Sequence, residues 1–207
     1  MAYDSLLDVA IGQFGERGFD GASTRAIAAE AGTVMSSITY RYGSKEGLYL
    51  ACADHIAAQL GGHLEPALDR VDPQGPLDAS DAVEAVAGLV ETISRMMLIP
   101  DVEPWAQFII REQQRPGPAF ERLYASIMRR VTETVVRLVR SARPSLDESQ
   151  ARATSITLYG QALVLRAAHA AVLRTMGTER LSEAQQELLI QTIRANVYAI
   201  LKGEPQS

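Results

Sequence analysis

The sequence contains few of the residues that build disulfide frameworks and catalytic centres. There is one cysteine, Cys52, so an intramolecular disulfide is excluded and a reducing compartment is the simpler interpretation. Cys52 lies in an apparent helix with His55 one turn away, and we interpret it as a small buried side chain rather than a nucleophile. The three histidines, His55, His63 and His169, have no metal-ligand spacing, and no nucleophile motif or glycine-rich phosphate loop is present. The sequence therefore predicts no catalytic residue, no metal site and no cofactor.

Long apolar runs are also missing. No apolar stretch reaches the length needed to span a bilayer, and the N-terminus does not have the charged-then-apolar form of a signal peptide. Only 6% of the residues are aromatic, but 47% are hydrophobic, which suffices for a sizeable core in one larger domain or two smaller ones. We therefore expect a cytoplasmic protein with no membrane partner.

The stretch from Ser23 to Lys45, STRAIAAEAGTVMSSITYRYGSK, has the pattern of two short helices joined by a glycine turn. Thr24 to Glu30 predicts the first helix, and Gly32 permits the left-handed backbone that a tight turn requires. Val34 to Tyr40 predicts the second helix, with Ile38 facing inward. Two short helices across such a turn form a helix-turn-helix, whose second helix can enter the major groove of DNA.

Further helices are predicted on both sides of this pair. An apolar stripe at the i, i+3, i+4 and i+7 positions predicts an amphipathic helix that ends at Gly18. The stripe consists of Leu7, Ala10, Ile11 and Phe14. Ser44 is the predicted N-cap of a helix that continues from Tyr49 to Leu64, and residues 66–78 form a proline-rich connector. The remaining predicted helices run from Ser80 to Leu98, Pro104 to Gln114, Pro118 to Ala142, Asp147 to Met176 and Ser182 to Lys202.

An ordered set of residues surrounds the helix-turn-helix. It consists of Ala10, Phe14, Gly18-Phe19, Ser23-Thr24-Arg25, Ile27-Ala28, Ala31-Gly32, Tyr40, Tyr42 and Ser44-Lys45-Glu46-Gly47-Leu48. This set resembles the N-terminal domain of TetR-type transcriptional regulators and covers residues 5–50 densely. The stretches ITYRYGSKEGLYLA and EPWAQFIIREQQRPGPAFERLY are most similar to the CecR-like branch, which extends the resemblance over about two thirds of the chain.

The resemblance implies an all-α fold. It implies a three-helix DNA-binding domain in residues 1–48 and a larger helical ligand-binding and dimerisation domain in residues 49–207. It further implies a dimeric repressor that binds a palindromic operator in double-stranded DNA. A small apolar or amphipathic effector would favour a dimer conformation whose recognition helices no longer match two half-sites, so that the DNA is released.

Five candidate DNA-binding residues lie outside the set assigned to the bases. We expect Lys45, Tyr40 and Thr24 to contact phosphates. Lys45 follows a predicted N-cap, where a phosphate would bind both the ammonium group and the free amides of the first helical turn. Arg25 and Arg41 are further candidates because both lie within the helix-turn-helix.

Three candidates are assigned to the bases. Ser36, Ser37 and Thr39 are expected closest to base edges, on the exposed side of the second helix. Two positions depart from the family pattern, which has a small polar residue in place of Val34 and a tyrosine in place of Thr39.

The overall charge of the chain argues against strong non-specific binding to DNA. The net charge is -5, and residues 1–60 carry four basic side chains against seven acidic ones. A basic stripe is the usual electrostatic footprint of nucleic-acid binding, and this region has only a local version of it at Arg25, Arg41 and Lys45. We therefore expect modest non-specific affinity per protomer, with useful affinity arising from dimerisation.

The central helices carry apolar and aromatic stripes. Such stripes more often mark a core than a ligand site. Arg111 and Glu112 follow the aromatic face directly, and they either pair across helices or lie at the mouth of a pocket. The candidate ligand-binding residues are Met97, Trp105, Phe108, Arg111, Phe120, Tyr124, Met128 and Tyr159.

The last two helices carry apolar seams that are candidates for a dimer interface. The alternative is that both seams pack only within the subunit. In TetR-type proteins two such helices from each subunit form a four-helix bundle, and the resemblance favours the interface. The first seam consists of Ile156, Tyr159, Gly160, Leu163, Val164, Ala167 and Ala171, and the second of Leu189, Ile193, Val197, Ile200 and Leu201.

Three classes of function remain. A ligand-responsive DNA-binding repressor accounts for the helix-turn-helix, the second helical domain and the seams together. An all-helical enzyme would need converging titratable groups, which the sequence does not offer. A helical protein-interaction module that has lost DNA binding is supported only by the acidic N-terminal balance and by Val34 and Thr39.

Overall fold

The chain folds into helices and turns, and no strand occurs in residues 4–71 and 77–203, which are the residues that the computed structural model describes. The all-α fold class predicted from the sequence is confirmed. A 3-10 turn at Pro100–Val102 precedes α6, and a π-helical turn at Tyr124–Met128 joins α7 to α8. The α-helices are α1 Asp4–Gly21, α2 Thr24–Glu30, α3 Met35–Tyr42, α4 Lys45–Asp69, α5 Ala79–Leu98, α6 Glu103–Gln114, α7 Pro118–Leu123, α8 Arg129–Ala142, α9 Glu148–Ala167, α10 His169–Thr175 and α11 Glu183–Lys202.

These helices form two compact units. The first contains α1, α2, α3, α6, α7, the π-helical turn and α4 up to Gly61. The second contains the rest of α4 together with α5 and α8 to α11. The domain boundary predicted after residue 48 lies within the first unit and inside α4, which is continuous from Lys45 to Asp69. This boundary stays a prediction.

A small apolar core joins the N-terminal helices of the first unit. Phe14, Ile27, Ile38 and Leu48 are fully buried, one from each of α1 to α4. The inward orientation predicted for Ile38 is therefore confirmed. Burial of a large apolar side chain contributes roughly 1.5 to 3 kcal/mol, so this core fixes the two helices of the helix-turn-helix against α1 and α4.

The first helix is broken by a kink at Gly18, where the sequence predicts its end, whereas α4 extends further than the sequence predicts. Gly18 has a φ of 73° and a ψ of 173°, which glycine adopts without strain, and helical hydrogen bonding resumes beyond it. The prediction that a connector begins at residue 66 is wrong, because α4 continues through Pro66 to Asp69. The apolar face of α4 explains the continuation, since Leu68 is fully buried after the proline. Residues 72–76 of the predicted connector lie outside the described residues.

Two predicted helices are interrupted. The helix predicted across α7 and α8 contains the π-helical turn, and the one predicted from Asp147 to Met176 breaks at Ala168, where α9 and α10 bend by 86°. No proline or glycine marks this break. Near it, Arg166 donates from Nε to the Met97 carbonyl oxygen at 2.9 Å and from Nη2 to the Ile99 carbonyl oxygen at 2.8 Å. These hydrogen bonds join the end of α9 to the end of α5, and they are tertiary contacts that local sequence does not encode.

The core of the second unit is built around α5, which contacts α8, α9 and α11. Leu89 of α5, Leu138 of α8 and Leu158 of α9 are fully buried there. Within the described part of the chain, no single helix has the length and apolar composition to cross a membrane. The helices α9 and α10 meet that criterion only as a pair, across their 86° bend.

Candidate nucleic-acid interface and associated surfaces

The second helix of the helix-turn-helix, α3, buries one side chain and presents most of the others to solvent. Ile38 faces the core, whereas Tyr40 is 95% exposed. The three predicted base-contacting residues, at positions 36, 37 and 39, therefore lie on the accessible part of the helix. The exposed residues of α3 are Met35, Ser36, Ser37, Thr39, Tyr40 and Arg41.

Lys45 opens α4 and lies close to the end of α1. Its Nζ donates to the Asp20 carbonyl oxygen at 3.3 Å and lies 4.8 Å from the centroid of the Phe19 ring. The ammonium group is thus held in place while the side chain stays half-buried. Thr24, at the start of α2, is half-buried and Arg25 is exposed. Phosphate contact by these residues stays a prediction.

Ser44 caps α4, as the sequence predicts. The Gly47 amide donates to Ser44 Oγ at 3.0 Å, and the Leu48 amide donates to the Ser44 carbonyl oxygen at 3.0 Å. The N-terminus of α4 therefore begins shortly after Gly43, which has a φ of 75° and ends α3. This short junction fixes the direction in which α4 leaves the helix-turn-helix.

A side-chain hydrogen bond between α1 and α2 was not predicted from the sequence. Gln13 Nε2 donates to Glu30 Oε2 at 2.5 Å, and Gln13 is buried. This assigns the amide orientation, because the reversed amide would place its oxygen against a carboxylate. Gln13 Oε1 has no hydrogen-bond partner within the described residues. The bond fixes the end of α2 against α1, and no periodicity or motif in the sequence indicated it.

Arg111 joins α6 to α1. Its Nε donates to the Gly15 carbonyl oxygen at 2.5 Å and its Nη2 donates to the Glu16 carbonyl oxygen at 2.5 Å. Both carbonyls belong to the turn of α1 before the backbone change at Gly18. The sequence left open whether Arg111 pairs across helices or lies at a pocket mouth, and the structure shows a bidentate contact across helices with backbone acceptors.

Glu112 is a buried carboxylate that connects α4, α6 and α7. It accepts from the Tyr49 hydroxyl at 2.6 Å and from the Phe120 amide at 2.9 Å. Burial, and then the hydrogen bond and negative charge of Glu112, raise the pKa of Tyr49 well above its ordinary range. The Tyr49 ring also packs against Phe108 and Phe14, with ring centroids 4.6 Å and 4.8 Å apart. The first unit therefore has a continuous aromatic and hydrogen-bonded core from α1 to α7.

Two family models match the chain. The model for bacterial regulatory proteins of the tetR family matches residues 6–52, and the model for the C-terminal domain of the HTH-type transcriptional dual regulator CecR matches residues 82–204. The HTH-type transcriptional dual regulator CecR of Shigella flexneri is 31% identical over 210 residues, covering 99% of this chain and 93% of that protein. The chain belongs to the TetR family, in its CecR branch. Members of this family are transcriptional regulators and not enzymes.

Solved structures of TetR-like regulators share the fold. AibR, solved in complex with isovaleryl coenzyme A and operator DNA, has a TM-score of 0.67 at 13% identity, covering 97% of both chains. The transcriptional regulator FadR from Bacillus subtilis, solved in complex with stearoyl-CoA, has a TM-score of 0.63 at 14% identity, covering 98% of this chain and 100% of FadR. At these identities the likeness establishes the fold of this TetR-family regulator.

The candidate ligand-binding residues are distributed over both units of this TetR-family regulator. Met97 and Tyr159 belong to the second unit and the other six to the first. Phe108 is fully buried and packs on Tyr49, while Tyr124 is exposed and stacks on Phe120 with ring centroids 5.9 Å apart. Trp105 and Met128 are half-buried and Met97 is buried. The assignment of these residues to a ligand stays a prediction.

The described residues form at least two open surface cavities. One of about 540 Å³ is lined by residues of α1 and α6 and includes Arg111, the one candidate ligand residue that lines either cavity. The other, of about 510 Å³, lies between α8 and α9. In residues 4–71 and 77–203, no group of three or more His, Cys, Asp or Glu side chains is placed to hold a metal ion.

The predicted seams differ in exposure. In the first seam, Ile156 is 58% exposed and Leu163 and Val164 are also exposed. The second seam requires a correction, because Ile193 and its neighbours Val197 and Leu201 are buried within a single chain, where α11 packs on α5. The exposed large apolar residues of α11 are Ile200, which belongs to the predicted seam, and Leu188, which does not.

Proposed function

We propose that this TetR-family regulator is a dimeric repressor that binds a palindromic operator and is released by a small apolar or amphipathic ligand. The observation that carries the proposal is the burial pattern of α3, in which Ile38 anchors a short helix while its remaining surface faces solvent. Helices presented in this way contact base edges in the major groove. The site of action is the cytoplasm, where the operator DNA is found.

Contacts with the DNA divide into two kinds. Ser36, Ser37 and Thr39 lie against base edges, because they are the exposed polar residues of α3 that precede Tyr40. The other five candidates lie at the sugar-phosphate backbone. These are Thr24, Arg25, Tyr40, Arg41 and Lys45. The ammonium group of Lys45, held by Asp20 and Phe19, presents its charge beside the capped N-terminus of α4.

Dimerisation supplies the affinity that one acidic protomer lacks. The exposed apolar residues Ile156, Leu163 and Val164 of α9, together with Leu188 and Ile200 of α11, mark the face that we propose a second copy covers. A two-fold axis through this face makes the contact self-complementary and pairs two recognition helices. A palindromic operator with half-sites about one helical turn or a multiple apart then follows from the symmetry.

The ligand is an amphipathic molecule of the acyl-coenzyme A class or of similar chemistry. AibR and FadR support this class, since their structures contain isovaleryl coenzyme A and stearoyl-CoA. Three candidate ligand residues, Trp105, Phe108 and Arg111, lie on α6. Arg111 donates hydrogen bonds to backbone carbonyl oxygens of α1. A ligand that displaces α6 therefore acts directly on the helix that supports the helix-turn-helix. A tenfold loss of operator occupancy requires a preference of about 1.4 kcal/mol for the released state.

The test is binding to DNA from the region upstream of the protein's own gene. We expect a mobility shift that survives competitor DNA, a two-fold symmetric footprint, and release by an acyl-coenzyme A. A helical interaction module that has lost DNA binding is the second candidate, favoured by the four basic against seven acidic side chains in residues 1–60. Absence of any specific footprint in genomic fragments would favour that candidate over the repressor.

A further inference from the structure

The recognition helix α3 begins with two solvent-exposed apolar side chains. Val34, the N-cap residue, is 62% exposed, and Met35, the first helical residue, is 49% exposed. Neither contributes to the core, which α3 reaches through Ile38. These two adjacent apolar side chains are therefore accessible for contact with DNA on the helix proposed to enter the groove.

A valine at the N-cap position stabilises the helix less than the residues that are preferred there. Ser, Thr, Asp and Asn are preferred there because their side chains accept from the free amides of the first turn. Val34 has extended backbone angles, with a φ of -102° and a ψ of 147°, and no side chain caps the helix. The helix thus lacks a stabilising hydrogen bond at the end that faces the bases. An apolar contact in the groove would offset this loss.

The chemistry of base recognition narrows what this end of α3 can read. Arg and Lys recognise guanine, Asn and Gln recognise adenine, Asp and Glu accept from cytosine, and apolar groups contact the 5-methyl group of thymine. Residues 34–39 are VMSSIT and include none of the six polar types that distinguish guanine, adenine or cytosine. Ser and Thr hydroxyls bond to several bases, and the Thr39 hydroxyl already donates to the Met35 carbonyl oxygen at 3.2 Å.

We propose that Val34 and Met35 form an apolar reader for thymine 5-methyl groups in each operator half-site. Residues at the N-terminus of a recognition helix are the ones that reach base edges, and these two side chains are the exposed apolar groups there. Selectivity for thymine then arises from burying its methyl group, which cytosine and the purines do not present in the major groove. This inference rests on the proposed function of operator binding.

The experiment compares thymine with uracil, which lacks only the 5-methyl group. An operator is enriched from a random duplex library with the full-length protein and then prepared with either thymidine or deoxyuridine. Dissociation constants are measured by fluorescence anisotropy. We expect the affinity to fall about fourfold for each methyl group that the protein buries, and about sixteenfold when one is read in each half-site. Uracil placed only at thymines outside the half-sites should leave the affinity unchanged.

Variants assign the effect to the two residues. Val34→Ser and Met35→Ser should each lower the ratio of thymine to uracil affinity, and the double variant should bring it close to one. Both side chains are exposed, so thermal unfolding followed by circular dichroism should be unchanged or slightly improved by the serine cap. Arg25→Ala serves as the comparison and should weaken binding to both duplexes alike.

The outcomes separate this inference from the proposed function. If no duplex is enriched, operator binding itself fails. If an operator is enriched but is bound equally in its thymine and uracil forms, the protein binds DNA without reading methyl groups and the inference is overturned. A thymine preference that survives in the double variant would also overturn it, because another part of the protein would then contact the methyl group.

Discussion

The carbonyl oxygen of Tyr42 lies so close to Gly47 that a β-carbon at position 47 would be 1.9 Å from it. Tyr42 is the last residue of α3, and Gly47 lies in the first turn of α4, where its amide donates to Ser44. The carbonyl belongs to backbone and cannot rotate away as a flexible side chain would. The junction between the recognition helix and α4 therefore requires glycine at this position.

Replacing Gly47 by alanine should displace α3 from α4. We expect Gly47→Ala to lower the free energy of unfolding by about 1 to 3 kcal/mol, as overpacking does, and to abolish specific operator binding. Thermal or urea unfolding and a mobility shift assay measure the two effects. The control is Gly62→Ala in the same helix, where a β-carbon meets no atom within 4 Å. It should stabilise the protein by roughly 0.5 to 1 kcal/mol, since alanine is the better helix former. Equal behaviour of the two variants would show that the junction tolerates a side chain.

The helix-turn-helix could be predicted from the sequence because its signals are local. Apolar spacing marked the buried positions, and Gly32, with a φ of 64°, provides the turn. The predicted bounds of α2 agree with the structure, and those of α3 differ by one residue at the start and two at the end. In this region the periodic burial of a few side chains determines both the helices and the face they present.

Other features could not be predicted because they depend on residues far apart in the chain. The hydrogen bond from Gln13 to Glu30 joins residues 17 positions apart, and the hydrogen bonds from Arg111 reach residues more than 90 positions away. Ile193 had the spacing of a seam, but spacing alone does not distinguish a partner subunit from a neighbouring helix of the same chain. The structure assigns Ile193 to the interior, at 7% exposure, because α11 packs on α5.

The phosphate binding proposed for Lys45 is testable through its salt dependence. Lys45→Ala should weaken binding to all sequences alike and reduce the slope of log K against log salt by about 0.9 for each phosphate that a subunit no longer neutralises. The only other lysine, Lys202, provides the control. Its Nζ lies 5.0 Å from the centroid of the Tyr198 ring, much as Lys45 lies 4.8 Å from that of Phe19. Lys202→Ala should not change the slope, and an unchanged slope in Lys45→Ala would show that Lys45 does not bind a phosphate.

The buried pair of Tyr49 and Glu112 should make stability depend on pH in the alkaline range. Tyr49→Phe removes the hydroxyl donor and leaves the buried carboxylate with the Phe120 amide, and we expect a loss of about 1 to 3 kcal/mol at pH 7 in urea unfolding. Tyr124→Phe, at an exposed position, should change stability by less than about 0.5 kcal/mol.

The pKa of Tyr49 is raised in the folded protein, so its contribution to stability is complete below the unfolded-state pKa of about 10 and declines as the pH rises past it. The stability difference between wild type and Tyr49→Phe should therefore narrow above about pH 10. Cys52, whose pKa burial also raises and whose negative charge would add to the rise in the pKa of Tyr49, is present in both proteins. A difference that stays constant between about pH 7 and pH 11 would contradict the burial of an un-ionised tyrosine in the folded chain.

Replacements of Ile193 and Leu163 should have opposite effects on the stability of the subunit and on its oligomeric state. Ile193→Ala removes a side chain buried within one chain, so we expect a loss of about 2 to 5 kcal/mol in unfolding free energy with the oligomeric state unchanged. Sedimentation velocity together with urea unfolding measures both properties. Dissociation of Ile193→Ala into well-folded monomers would assign this residue to the subunit interface after all.

Leu163→Arg should separate the subunits without unfolding them. Leu163 is exposed in the single chain, on the same helix as the exposed Ile156 and Val164, so an arginine there is solvated in the monomer. In the dimer, the two-fold axis would bring an unpaired charge to the interface from both sides, which is strongly unfavourable. We therefore expect Leu163→Arg to sediment as a monomer with unchanged helical circular dichroism and to lose specific operator binding. The control, Gln59→Arg, adds the same charge at an exposed position of α4 and should remain dimeric. If Leu163→Arg sediments as a dimer and still binds the operator, the exposed face of α9 is not the interface and the dimer is built from another surface.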